Sequence, residues 1–143
     1  MKTNISIKFG AEGLPWEEIC RIFLLAPLGS RDPIKLKNAS KNSHLVCTAW
    51  DESKVIGFAR AISDQEYQAA IYDLVILPEY QKNGIGRKMM EAIENSLPPV
   101  WSIALFAVPD KTDFYKKLGY DKLKTGMAIF ANKVSARKNG LID

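Results

Sequence analysis

Residues 71–88 constrain the fold more than any other part of the chain. They begin with a nearly continuous apolar run, Ile71–Leu77, which is typical of a central strand covered on both faces. A short loop with two glycines, Gly84 and Gly86, follows and opens a helical pattern that extends to Leu97. The segment therefore predicts a buried strand that leads directly into a helix.

A second apolar run, Trp101–Val108, follows this helix and is predicted to be another central strand. A strand, a helix and a further strand require a crossover connection, which makes the two strands parallel. Earlier in the chain, Leu45–Trp50 and Val55–Ile62 are β-rich runs joined by four polar residues, and this pattern predicts an antiparallel hairpin. The predicted class is α/β, with a mixed, mostly antiparallel sheet and helices on both faces.

The remaining elements follow from local patterns, and a length of 143 residues fits a single domain over 1–143. The three tryptophans, Trp16, Trp50 and Trp101, lie in periodic patterns and are predicted to belong to the core. The other predictions are a strand over 4–9, a helix from Pro15, a polar loop (alternatively a short helix) over 30–43, a helix over Thr112–Leu118 ended by Gly119, a last strand over Met127–Ala131 and a frayed tail from Val134.

Charge and composition exclude several classes of protein. The net charge of +4 mildly favours anionic partners. Cys20 and Cys47 are too few for a disulfide framework or a metal set, so we predict a reduced, cytoplasmic setting and no metal. No apolar stretch approaches 18 residues, and no aromatic residues alternate with basic ones, so neither a membrane nor a nucleic acid is a predicted partner.

The loop after the predicted central strand has the character of an anion site. Glycines let the backbone approach a ligand closely, and the free amides at a helix start attract negative charge. Lys82, Arg87 and Lys88 add three positive charges. A pyrophosphate fits this environment, although neither GxxxxGK[ST] nor GxGxxG is present.

Two motifs resemble the signatures of the GNAT superfamily of acyl-CoA-dependent N-acetyltransferases. Residues 81–86, Gln-Lys-Asn-Gly-Ile-Gly, match [Gln/Arg]-x-x-Gly-x-[Gly/Ala] after the fourth strand. Residues 114–120, Phe-Tyr-Lys-Lys-Leu-Gly-Tyr, resemble Phe-Tyr-x-x-Leu-Gly-Phe, with Tyr120 in place of the final phenylalanine. The resemblance covers residues 45–131 well and the first 44 residues weakly, and it implies the GNAT fold.

A narrower similarity comes from Gly57–Asp64, Ile71–Asp73 and Gly126-Met127. These segments resemble a branch with plant plastid and cyanobacterial enzymes similar to arylalkylamine (serotonin-type) N-acetyltransferases. The resemblance implies transfer of an acetyl group from acetyl-CoA to a primary amine by direct attack in a ternary complex. The acceptor is a small molecule in the leading interpretation, an arylalkylamine or a polyamine. The alternatives are a protein or peptide acetyltransferase and a non-catalytic acyl-CoA-binding module, in each case a monomer or homodimer.

The resemblance also assigns roles to residues. The backbone near Val75 and Ile76 pairs with the pantetheine arm as an added strand does, and one amide there polarises the thioester carbonyl. Amides of the turn hold the pyrophosphate. The predicted acetyl-CoA contacts are Val75, Ile76, Gln81, Lys82, Asn83, Gly84, Ile85, Gly86, Arg87 and Phe114.

Two side chains are the predicted catalytic groups. Tyr115 is the candidate general acid, because a phenol with a reference pKa of ~10 stays protonated at neutral pH and can donate to the departing thiolate. The attacking amine must be neutral, and at a reference pKa of ~10.4 only roughly one molecule in 2,500 is neutral at pH 7.

Asp73 is the candidate general base for that amine, because it interrupts the apolar strand and a buried carboxylate needs a partner or a function. A structural carboxylate bonded to a neighbouring loop is an equal alternative, and Asp64, Glu66 and Tyr72 are rival bases. Strand parity places Asp73 on the face of Val75 unless a bulge intervenes.

Overall fold

A computed structural model describes residues 4–143, and Met1–Thr3 lie outside the described residues. The chain divides into two compact units, one ending at Leu105 and the other comprising Phe106–Asp143. The single domain over 1–143 therefore remains a prediction.

The first unit is a five-stranded sheet with three α-helices. Its elements are β1 (Ile5–Phe9), α1 (Trp16–Leu25), α2 (Pro33–Lys41), β2 (Leu45–Asp51), β3 (Lys54–Ser63), β4 (Gln68–Ile76), a 3-10 turn (Pro78–Tyr80), α3 (Ile85–Ser96) and β5 (Ser102–Leu105). The strands lie in the order β1-β2-β3-β4-β5, antiparallel except for the parallel β4–β5 pair. The predicted mixed, mostly antiparallel sheet is confirmed.

Adjacent residues of β3 show that α1 and α3 cover opposite faces of the sheet. A Cβ atom on Gly57 would lie 3.0 Å from the sulfur of Met89 in α3. The next side chain, Phe58, points the other way, and its ring centroid lies 6.2 Å from those of Trp16 and Phe23 in α1. Because successive side chains on a strand alternate between faces, the helices enclose the sheet from both sides as predicted.

Helix α2 forms where a polar loop, with a short helix as the alternative, was predicted. Asp32 precedes the helix, and its carboxylate accepts hydrogen bonds from the amides of Ile34 at 2.8 Å and Lys35 at 3.2 Å. Pro33 occupies the first helical turn, where the missing amide proton costs nothing. The Asp-Pro pair is therefore the sequence signal that supports the helical alternative.

The strand predicted over Trp101–Val108 is shorter and differently placed. Only Ser102–Leu105 pairs, and it lies at one end of the described sheet rather than in its centre. Trp101 is 79% exposed, so its assignment to the core was wrong. Its amide donates to the carbonyl of Tyr67 at 2.8 Å, and the two rings lie 4.6 Å apart on the surface. Trp16 and Trp50 are half-buried.

The second unit contains a 3-10 turn (Pro109–Lys111) and two short helices, α4 (Thr112–Lys117) and α5 (Lys133–Lys138). The predicted strand over Met127–Ala131 is wrong, since no strand is assigned within 106–143. Met127 is 94% exposed and Ile129 is 92% exposed. Apolar alternation specifies which face a strand would bury, but it does not supply the neighbouring strand that pairing needs.

Helix α5 occupies residues 134–138 of the tail that was predicted to be frayed over 134–143. The side chain of Asn132 accepts a hydrogen bond from the amide of Ser135 at 3.0 Å, and this cap begins the helix. Within residues 4–143, no helix has both the length and the apolar character to cross a membrane.

Candidate active site

The end of β4 extends past its pairing with β5. The parallel register runs from Gln68 opposite Ser102 to Ile71 opposite Leu105, and β4 then continues to Ile76. On the other side, β3 pairs with β4 as far as Gly57 opposite Ile76. Within the described sheet, the last part of β4 is therefore paired with β3 alone, which leaves one edge of its backbone directed away from the sheet.

A β-bulge lies in this part of β4. Phe58 is opposite Val75 and Arg60 is opposite Tyr72, so the single residue between Phe58 and Arg60 faces two residues of β4. Asp73 is one of these two, and its φ of 64° lies in the left-handed region. The bulge changes the strand parity, so Tyr72 and Val75 lie on the same face of the sheet although they are three residues apart.

Both carboxylate oxygens of Asp73 accept hydrogen bonds from arginines. Oδ2 lies 2.7 Å from Nε of Arg60, and Oδ1 lies 3.2 Å from a terminal nitrogen of Arg31. Arg60 comes from β3, whereas Arg31 precedes α2. Asp73 thus has the structural partners that the alternative interpretation anticipated, one of them in the loop between α1 and α2.

The turn between β4 and α3 requires two left-handed backbone conformations. Lys82 has a φ of 65° and Gly84 has a φ of 78°. Gly84 is the N-cap of α3, and no side chain caps the helix. A Cβ atom on Gly84 would meet no atom within 4 Å, so the backbone conformation, and not the available space within the protein, accounts for glycine here.

Side chains of the turn bond mainly to the turn itself. Gln81 donates from Nε2 to the carbonyl of Ile76 at 2.9 Å, which ties the turn to the end of β4. Asn83 donates to the carbonyls of Tyr80 and Gln81, each at 3.3 Å. These contacts hold the backbone of the turn in place. A side-chain contact of Gln81 or Asn83 with an anion would break them, whereas a contact through the backbone N–H groups would not.

The turn fits an anionic group such as the diphosphate of acetyl-CoA. The first amides of α3 have no side-chain acceptor, and the positive end of a twelve-residue helix points at the turn. Lys82 and Lys88 are exposed beside it. Arg87 already forms an ion pair, because its Nε lies 3.1 Å from Oε2 of Glu91.

The candidate acid, Tyr115, lies in α4 of the second unit. Its half-buried ring lies 4.9 Å from that of Phe114 and 6.1 Å from that of Tyr120. Burial raises the pKa of Tyr115 above the ordinary tyrosine value. A raised pKa keeps the phenol protonated at neutral pH, which is the state that a proton donor requires.

A helix-ending motif positions this tyrosine. The amide of Tyr120 donates to the carbonyl of Tyr115 and the amide of Gly119 to that of Lys116, both at 3.0 Å. Gly119 has a φ of 98°, as the residue after the cap of such an ending usually does. The prediction that Gly119 ends the helix is confirmed.

Among the rival bases, Asp64 has a structural function. Its Oδ1 accepts the amides of Glu66, Tyr67 and Gln68 at 2.8 to 3.0 Å. The pKa of Asp64 is lowered mainly by these backbone hydrogen bonds. Asp64 therefore caps the turn before β4, and its role as a rival base stays a prediction.

The first unit therefore brings together Asp73, Val75, Ile76 and the turn over 81–87, whereas Phe114 and Tyr115 belong to the second unit. Sequence reasoning missed Arg31 and Arg60. Arg60 had a signal, because it is a charged residue inside the apolar run Val55–Ile62. Arg31 had none, since it lies in a polar loop. Within residues 4–143, no group of three or more His, Cys, Asp and Glu side chains could hold a metal ion.

Comparison with solved structures agrees with this architecture. A GNAT-family acetyltransferase from Streptococcus pneumoniae superposes with a TM-score of 0.77 at 24% identity, over 91% of this chain and 99% of that one. At this level of identity the similarity establishes the fold, and the predicted GNAT fold is confirmed.

Curated relatives are more similar in sequence. The uncharacterized N-acetyltransferase ycf52 of Pyropia yezoensis is 39% identical over an alignment of 99 residues, and the match covers 65% of this chain and 57% of that protein. The chloroplastic GCN5-related N-acetyltransferase 2 of Arabidopsis thaliana is 34% identical over 113 residues, covering 64% of this chain and 44% of that one. The chain spans about half the length of these relatives.

A family model places this similarity in the region that carries the site. The model of the acetyltransferase (GNAT) domain matches residues 42–122, more than half of the chain, and includes the bulge of β4, the turn before α3 and Tyr115. The protein is therefore a member of the GNAT acetyltransferase family.

Proposed function

We propose that the protein transfers the acetyl group of acetyl-CoA to the primary amine of a small molecule by direct attack in a ternary complex. The observation that supports this proposal most is the junction of β4 and α3. There an open strand edge and an uncapped helix start lie next to each other. The GNAT family generally uses acetyl-CoA, which supplies an acetyl thioester together with an extended amide-bearing arm and a diphosphate.

Each part of the junction has a proposed task. The amides from Lys82 to Arg87 bind the diphosphate, and the charge of Lys88 supports them. The open edge of β4 at Val75 and Ile76 pairs with the amides of the pantetheine arm. An amide of this edge also donates to the thioester oxygen as negative charge develops there. Phe114 is proposed to contact the same co-substrate.

Tyr115 is proposed to protonate the departing sulfur. When the amine nitrogen bonds to the acetyl carbon, the carbon–sulfur bond breaks and the electron pair leaves as a thiolate. A thiol has a reference pKa of ~8.5, below that of tyrosine, and burial raises the pKa of Tyr115 further. The tyrosine therefore stays protonated until the thiolate forms and then delivers its proton.

Asp73 is proposed to accept the proton that the attacking amine loses. A carboxylate has about four lone-pair directions, and the two arginines use one on each oxygen. Oδ1 bonds to Arg31, the more exposed of the two arginines, so this oxygen is the one proposed to face the acceptor.

The proposed acceptor is an arylalkylamine or a polyamine, and the basis is the resemblance of Gly57–Asp64 and Ile71–Asp73 to the plastid and cyanobacterial branch. A relative named as chloroplastic is consistent with that branch. We further propose a cytoplasmic monomer or homodimer that needs neither a metal nor a nucleic-acid or membrane partner.

The test is release of CoA thiol from acetyl-CoA against a panel of amines. The panel contains tryptamine, serotonin, phenethylamine, spermidine, an aminoglycoside, free amino acids and a lysine-bearing peptide. We expect turnover of an arylalkylamine or spermidine that saturates with both substrates. The product should be heavier than the acceptor amine by one acetyl group, and that group should be attached to the nitrogen.

Three other outcomes contradict parts of the proposal. Turnover of the peptide alone replaces the small-molecule acceptor with a protein. Binding of acetyl-CoA without turnover of any amine supports the non-catalytic module. Absence of acetyl-CoA binding in calorimetry overturns the function altogether.

A further inference from the structure

We propose that Arg31 and Arg60 are positioning residues for acyl-CoA binding. Together they hold Asp73 in the left-handed conformation that creates the bulge, and the bulge determines which backbone groups of β4 reach its open edge. This inference rests on the proposed function, because it concerns the strand edge that was assigned there to the pantetheine arm.

The backbone at Asp73 needs such support. Its φ of 64° is disfavoured for a residue with a Cβ atom, although aspartate tolerates it better than most. Residues in this conformation persist when the surrounding structure holds them there. Asp73 is 14% exposed, so its charge is largely removed from water and depends on protein partners.

The two arginines approach the carboxylate from different elements. Arg60 extends from β3, directly opposite Tyr72, and is 17% exposed. Arg31 extends from the loop before α2, so the carboxylate is bound to two separate parts of the unit. A change of the Asp73 backbone to an ordinary strand conformation would swing the carboxylate away from these donors.

Each arginine is itself held in position. Arg31 donates from its other terminal nitrogen to the carbonyl of Leu28 at 3.2 Å, and its guanidinium lies 4.5 Å from the ring centre of Phe23. Arg60 donates to Oγ of Ser43 at 3.3 Å. Because both donors have second contacts, they act as fixed points for Asp73 rather than as mobile surface charges.

The consequence for β4 follows from the register. With the bulge, Val75 is opposite Phe58 and Ile76 is opposite Gly57. Without it, the register would move by one residue, and amides that now point to the open edge would point to β3. The arginines therefore act on acyl-CoA through the backbone of Val75 and Ile76, without contacting the ligand themselves.

Calorimetric binding of acetyl-CoA tests this inference independently of turnover. We expect Arg60→Met to weaken binding about tenfold and Arg31→Met about threefold, because ordered hydrogen bonds to a charge have this order of effect. Asp73→Ala is expected to weaken binding about tenfold, since alanine disfavours the left-handed region. Asp73→Gly, which adopts that region freely, is expected to bind within about twofold of the parent protein.

The double variant Asp73→Gly/Arg31→Met separates positioning from a general structural role. Because glycine forms the bulge without support, removing Arg31 in that background is expected to change the affinity less than about twofold. The inference is wrong if Asp73→Gly binds as weakly as Asp73→Ala. It is equally wrong if both arginine variants bind like the parent protein while only their thermal stability falls.

Amide resonances of Val75 and Ile76 provide a readout that needs no ligand. Neighbouring amides of a strand point in opposite directions, so loss of the bulge should speed hydrogen exchange at one of these two amides and slow it at the other. This pair of changes in Arg60→Met, but not in Asp73→Gly, supports the inference. Unchanged exchange in Arg60→Met overturns it. If the parent protein does not bind acetyl-CoA, the proposed function fails. The hydrogen-exchange rates of Val75 and Ile76 then still show whether the arginines hold the bulge.

Discussion

Nε of Arg60 lies 2.7 Å from Oδ2 of Asp73, and this bond joins β3 to β4 at the bulge. The side chains are 17% and 14% exposed, whereas Arg31, the second partner, is 34% exposed. The two arginines therefore differ in how far their charge pair with Asp73 is removed from water.

Replacing Arg60 is expected to cost more stability than replacing Arg31. Arg60→Met leaves a largely buried carboxylate without its shorter hydrogen bond, at a cost of about 2 kcal/mol. Arg31→Met removes a longer and more exposed pair, at a cost of about 0.5–1 kcal/mol. Urea unfolding followed by circular dichroism measures both free energies, and equal losses would contradict this ranking.

Gly84→Ala tests the turn that is proposed to bind the diphosphate. Alanine in a left-handed conformation costs about 1–2 kcal/mol, and we expect acetyl-CoA binding to weaken about tenfold as the turn relaxes. Calorimetry measures the affinity.

Gly13→Ala is the matched control for Gly84→Ala. Gly13 has a φ of 67°, a Cβ atom there would meet no atom within 4 Å, and the residue lies outside the turn. It should lose similar stability and keep its affinity. An equal loss of affinity in both variants would show that the effect comes from general destabilisation.

Tyr115→Phe removes the proposed proton donor while retaining the ring. We expect kcat to fall at least about a hundredfold, since general acid catalysis contributes on this scale, while the acetyl-CoA dissociation constant stays within about twofold. Tyr67→Phe, which removes the hydroxyl of an exposed tyrosine in the other unit, is the control.

The pH profile adds a second check on Tyr115. Because its pKa is raised, the acid stays protonated past the ordinary tyrosine pKa of ~10, so the alkaline decline of kcat should begin above that pH. Tyr115→Phe should lack this decline. A variant with unchanged kcat across the pH range would refute the assignment.

Asp73→Asn separates a general base from a bulge residue. Asparagine tolerates the left-handed region, and its amide oxygen can still accept the hydrogen bond from Arg60, so acetyl-CoA binding should change less than about threefold. If Asp73 accepts the amine proton, kcat should fall about a hundredfold. Full activity would leave Asp73 with a positioning role alone.

The two thiols are expected to be unreactive in the folded protein. Burial raises the pKa of Cys47 to about 12 and, with a smaller effect from Asp32, also raises that of Cys20. A thiol reagent at pH 8 should modify neither cysteine in buffer and both in denaturant. Fast modification in buffer would contradict the burial of these side chains.

The Cys47 thiol also predicts how stability depends on pH. The folded state holds the proton more tightly than the unfolded state, so this contribution is complete below about pH 8.5 and is lost as pH rises towards 12. Urea midpoints should fall over this window in the parent protein. Cys47→Ala should show a smaller decline with pH, although the cavity left by the missing sulfur lowers the stability of this variant at every pH.

Much of the first unit could be predicted because its signals are local. The run Ile71–Leu77, the glycine turn and the apolar stripe of α3 each follow from short-range patterns, and the observed elements agree with them. The predictions failed where a pattern needed a distant partner. Met127–Ala131 has the alternation of a strand but no strand beside it in the described chain, and Trp101 lies beyond the point where pairing begins.

The amino-acid sequence by itself determined the order of the elements from β2 to α4, the turn before α3 and the motif around Tyr115, because propensity, glycine conformation and helix endings act over a few residues. Only the tertiary structure decided the environment of Asp73. Its bulge, its left-handed backbone and its two arginines depend on the register between β3 and β4 and on a loop 42 residues away in sequence. Contacts of this kind arise when strands pair and a loop folds over them, so no local pattern could specify them.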